Sequence, residues 1–109
     1  MIQIKGNDII ISQNDTFNVT FRLTGFEIAK TDTIIFTVKN ELFDQEVLLE
    51  KQFSNISGSD INIIITAEEM KKIPLGINYY DLLCLSSGTK TTLNFPSKLI
   101  VQKVVHNDK

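Results

Sequence analysis

The chain has 109 residues, with 11 basic and 13 acidic side chains and a net charge of −2. That length sets one domain, expected over residues 1–109, and the balanced charge gives no reason to expect nucleic acid or an anionic membrane as partner. Ile, Leu, Val and Phe supply 39 residues, far more than a disordered chain carries, so a packed core is within reach.

β-Branched and aromatic residues dominate while Ala occurs only twice, and such residues pack well on a pleated surface. Residues 9–12 suit an N-terminal edge strand. Residues 16–24 alternate without a fault, with Phe17, Val19, Phe21 and Leu23 on one face and Thr16, Asn18, Thr20 and Arg22 on the other. That period of two marks a half-buried strand. Residues 33–39 repeat it, with Ile34, Phe36 and Val38 inward. Residues 46–53 read as a strand with Leu48 and Lys51 off the pattern, and residues 61–66 as a strand with Ile64 off it. Thr66-Ala67-Glu68-Glu69 then matches a helix-capping box. Pro74 stops the helix, because the residue before proline avoids the α region. One short helix is therefore expected around 66–73, as a crossover between sheets.

Residues 77–85 are apolar on both faces, which fits a central strand covered on both sides or one whose outer face meets a partner. Ser86-Ser87-Gly88 reads as a hairpin turn into a strand over 89–95, and residues 98–105 complete the set. The expected fold is all-β: about seven or eight strands in two antiparallel sheets, as an immunoglobulin-like sandwich or a small barrel. Leu82 and Cys84, with Ile35, Leu48 and Ile64, exceed one core face and are candidates for an association patch.

Reactive groups are few. The single cysteine, Cys84, excludes an internal disulfide or a cysteine zinc site and reads as a small buried hydrophobe. His106 is the only histidine and lies near the C-terminus, a poor place for a rigid base. Asp8, Asp15, Asp32, Asp44 and Asp60 fall in expected turns, but Asp is an ordinary turn residue, and no calcium loop motif is present. No catalytic residue, metal or cofactor is expected, nor a small-molecule substrate. Asp81 follows Tyr79 and Tyr80 inside an apolar strand, where a carboxylate must be hydrogen-bonded, paired or exposed. No apolar run reaches the ~18 residues of a membrane span. Met1-Ile2-Gln3-Ile4-Lys5 lacks the layout of a signal peptide.

The order of features carries a resemblance. Lys5-Gly6-Asn7-Asp8 precedes Asn14-Asp15-Thr16-Phe17 at the first long strand. Ile73-Pro74-Leu75-Gly76 then leads into Asn78-Tyr79-Tyr80-Asp81-Leu82, with a Gly88 hairpin and the strand from Lys98 closing the chain. This resembles the small immunoglobulin-like β-sandwich domains of tailed-phage structural proteins. It is similar in particular to the N-terminal domain of siphophage baseplate upper proteins and to related tail-fibre modules. Two positions depart from that pattern: Asn78 stands where the family has a tyrosine, and Asn14 where it has glycine. The resemblance implies a non-enzymatic virion protein, assembled in the host cytoplasm within a baseplate or tail. Its partners would be other phage structural proteins, in a homo- or hetero-oligomer. Tyr79, Tyr80 and Asp81 are the expected interface or ligand contacts. The alternative is a module that binds carbohydrate or a cell surface.

Overall fold

The computed structural model describes residues 2–25, 27–54, 58–93 and 96–103. Nine strands and one helical turn appear: β1 (Ile2–Lys5), β2 (Asp8–Ser12), β3 (Phe17–Arg22), β4 (Thr33–Lys39), β5 (Leu49–Phe53), β6 (Asp60–Ile65), α1 (Ala67–Met70), β7 (Gly76–Ser86), β8 (Thr89–Thr92) and β9 (Ser97–Gln102). The large sheet runs β1-β2-β9-β7-β4-β5, with β8 beside β7, and the small sheet is β3-β6. The chain is mostly β, as its composition implies.

The two sheets share one apolar layer. Phe17 and Val19 of β3 with Ile61, Ile63 and Ile65 of β6 face Ile34, Phe36 and Val38 of β4 and Tyr80, Leu82 and Cys84 of β7, all buried. Aromatic rings bridge the layer. Phe17 meets Phe36 at 5.4 Å between centroids, Phe36 meets Tyr80 at 5.6 Å, and Tyr80 meets Phe21 at 5.9 Å, all tilted, the arrangement ring quadrupoles prefer.

The sheets are not wholly antiparallel. β2 runs parallel to β9, in the register Ile9↔Leu99 to Ser12↔Gln102, which corrects the antiparallel expectation. Alternation tells which face a side chain takes but carries no information on the direction of the neighbouring strand. β1 is an additional strand, paired with β2 in a hairpin. The β7–β8 hairpin turns through Ser87 at φ 48° and Gly88 at φ 84°. Positive φ at both central residues is what the right-handed twist of a two-residue hairpin requires.

The capping box forms, and the short helix it opens is a single turn, Ala67–Met70. The Glu69 amide donates to Thr66 Oγ1 at 3.1 Å, and the Thr66 amide donates to Glu69 Oε1 at 3.0 Å. Residues 71–73 make a turn, with the Ile73 amide bonded to the Met70 carbonyl. Strand β5 begins at Leu49 rather than residue 46, because residues 40–48 fold as a loop in which the Glu41 amide donates to Asp44 at 3.1 Å. Lys51, off the apolar pattern, now has a reason. It shares the inward phase of Leu49 and Phe53, and its ammonium donates to Glu69 Oε1 at 2.8 Å and to the Ile64 carbonyl at 3.0 Å. The pair ties the edge of the large sheet to the crossover from the small one.

Lys51, together with the Thr66 amide, holds the Glu69 carboxyl down at about 2. A depressed carboxylate adds stability above its ordinary value of 4.5, and that stability is lost as pH falls towards about 2. The urea midpoint should therefore fall on acidification through this window. In Glu69→Gln the fall should be shallower, and an unchanged slope would show that the pair does not couple to folding.

Candidate interaction surface

Strand β7 is the centre of the large sheet, and its two faces differ. Asn78, Tyr80, Leu82 and Cys84 point inward and are buried, whereas Tyr79, Asp81, Leu83 and Leu85 point outward and are half-buried. The Leu82 and Cys84 face expected to associate is therefore core; the opposite phase of the strand is the outward one. Of the other off-pattern residues, Ile35 is outward on β4, Leu48 packs against the core, and Ile64 sits alone on the outer face of the small sheet.

The outer faces of the two sheets are chemically unlike. On the small sheet Asn62 donates to Asn18 and Thr20, and Arg22 pairs with Asp60 at 3.1 Å. On the large sheet Ile77 is 51% exposed, and its register neighbours Ile100 and Ile10 are half-buried beside it. Further along, Leu83 lies opposite Ile35. Between these apolar rows stand Lys98, Tyr79 and Lys39, then Asp81, Thr37 and Glu50.

A shallow hollow of about 70 Å³ opens here, lined by Tyr79, Asp81, Thr37, Lys39, Leu42 and Pro96, with Tyr80 at its floor. Tyr80 reaches it only in part. Its ring belongs to the core, its hydroxyl donates to the Asn7 carbonyl, and burial pushes that hydroxyl up to about 12. So Tyr79 and Asp81 share the outer face, while Tyr80 joins them along the chain but not in direction. Leu42 and Phe43, an apolar pair between Glu41 and Asp44, are exposed after the end of β4, Phe43 by 95%. That pair was the available signal in the sequence for this loop.

Burial raises the Asp81 carboxyl above its ordinary value, and nearby Lys39 offsets this in part. A raised carboxyl favours the fold fully below 3.8, and that advantage is lost as pH rises through its folded value. At neutral pH the charge therefore opposes folding. Asp81→Asn should raise the urea midpoint of dilute protein at neutral pH and leave it unchanged in strong acid. A lower midpoint at neutral pH would contradict the burial argument.

Cys84 lies buried against Asp32, itself only 6% exposed, at 3.8 Å from its Oδ2. Ser86 and the Ala29 amide hold the Asp32 carboxylate low, while burial and the Asp32 charge push the thiol up. Thiolate is the reactive form, so a maleimide should label Cys84 only after denaturation. Rapid labelling of native protein would refute its burial.

Among the described residues no three His, Cys, Asp or Glu side chains gather as a metal site. Nor is any helix there long and apolar enough to cross a membrane. His106 lies outside the described residues. No family model matches the chain, and no curated protein matches it either.

Proposed function

We propose that this chain is an immunoglobulin-like β-sandwich module of a tailed-phage or prophage structure, associated with a baseplate or tail. In this reading it works without catalysis, through protein–protein contacts within the virion. The strand order supports the fold. β3 and β6 oppose a sheet in which β4, β7 and β9 are adjacent and β5 extends the edge, as variable-type immunoglobulin sheets are extended. The observation that carries the function is the outer face of the large sheet. Apolar rows lie there with Ile77 exposed and Ile10, Ile100, Leu83 and Ile35 half-buried, while the small sheet turns a polar network to water, and such patches mark interaction surfaces.

Mass spectrometry of particles purified from the strain that encodes the chain is the test. The chain should appear in fixed stoichiometry with the tail proteins, and its absence from intact particles would sink the reading. Carbohydrate or cell-surface binding is a second reading, favoured by the hollow beside Tyr79 and Asp81. It calls for saturable glycan binding that Tyr79→Ala removes.

A further inference from the structure

We propose that the outer face of the large sheet binds a second copy of this chain, with the two β7 strands antiparallel across a twofold axis perpendicular to them. This rests on the assembly reading and names the partner. The outward residues of β7 define four successive rows across the sheet. Ile77, Ile100 and Ile10 form an apolar row. Tyr79 stands between Lys98 and Lys39 in a row that is basic at β9 and β4 and reaches Asp8 of β2, whose carboxylate accepts from the Lys98 amide. Asp81, Thr37 and Glu50 form an acidic row. Leu83 and Ile35 form a second apolar row.

The sequence of rows is therefore apolar, basic, acidic, apolar. A twofold axis midway between the basic and acidic rows lays each of these on the other and each strand on the same strand of the second copy. The apolar rows therefore meet at β7, Ile77 on Leu83, while Ile100 and Ile10 lie to the β9 side and Ile35 to the β4 side. Isologous contacts need this kind of self-complementarity. In that arrangement Tyr79 faces Asp81 of the second copy. Lys39 faces Thr37 of the second copy, between its Asp81 and Glu50. The alternative axis, parallel to β7, sets Lys39 against Lys98 and is disfavoured by like charge. Packed sheets are offset by about 30°, which displaces the outer columns most and the central β7 column least.

Other features fit the same occupant. The Asp81 carboxylate has Lys39 near it in its own chain, and the second copy would add a hydroxyl and a second ammonium. The four rows and five strands cover roughly 20 by 20 Å at ordinary strand spacing. That is the range of a weak, reversible dimer rather than an obligate one.

Sedimentation velocity over a concentration series tests it. The native chain should pass from one to two copies, in the micromolar range, and less readily at high salt. Lys39→Glu alone should stay monomeric, because it sets Glu against Asp81 of the second copy. Asp81→Lys alone should stay monomeric, because it sets Lys against Lys39. A mixture of the two variants should dimerise, since every such contact then pairs opposite charges, and recovery in the mixture shows that both are folded. A native chain that stays monomeric at its highest soluble concentration overturns the proposal, as does a mixture that fails to associate. Either result leaves the assembly reading standing, because that is decided on purified particles.

Discussion

Phe36→Ala should cost about 3–5 kcal/mol of folding stability, the usual loss for a buried aromatic ring. Phe36 is fully buried in β4, and its ring touches Phe17 of the small sheet and Tyr80 of β7. The substitution removes apolar burial and opens a cavity where three strands meet, a site that cannot collapse without moving a sheet. Domains of this kind have ~5–15 kcal/mol in total, so the variant should be partly unfolded near physiological temperature. The urea midpoint should drop with little change in slope, since the surface exposed on unfolding is nearly the same. Phe43→Ala is the control. That ring is 95% exposed, and its loss should shift stability by no more than about 0.5 kcal/mol. Equal losses in the two variants would mean that ring burial is not what holds the sheets together.

Asn78→Ala should cost about 1–3 kcal/mol, because it takes the partner away from several polar groups at once. Asn78 has no solvent exposure. Its amide donates to the Pro74 carbonyl at 3.0 Å and to the Leu99 carbonyl at 3.4 Å, and its oxygen accepts from Asn40 at 3.1 Å. One side chain thus joins the turn before β7, strand β9 and the end of β4. Gly76, two residues earlier, enters the strand at φ 102°, a conformation that L side chains rarely adopt. Asn40→Ala should cost much less, since Asn40 is exposed and water replaces it. Amide exchange at Leu99 and Val101 should quicken in Asn78→Ala and stay slow in Asn40→Ala. If both variants behave alike, the network carries no stability.

The position of Asn78 was legible as a departure from the tyrosine of the resembling family, but not its use. A buried asparagine and an exposed one look the same in a sequence. What separates them is whether three carbonyl or amide groups, from residues 40, 74 and 99, arrive at the same place. Lys51 makes the same point. Its misfit with the alternating pattern was visible, yet the Glu69 that satisfies it lies 18 residues away. Tyr79, Tyr80 and Asp81 could be singled out as chemistry-bearing residues in an apolar strand. Their division between faces could not, because residues 77–85 are apolar in both phases and the period of two then has no reference.

Apart from β1 and the start of β5, the sequence by itself determined the strands, and with them the turn positions and the capped helical turn, because these follow from side-chain rotamers, backbone preference and spacing within a few residues. Residues 16–24 show it best: one face is apolar and the other is not, so burial has one solution. Only the tertiary structure decided the parallel pairing of β2 with β9, the inward phase of Tyr80 and the four rows on the large sheet. Those depend on which strands lie side by side and in what direction, a matter of contacts between residues far apart in the chain, for which local alternation carries no code.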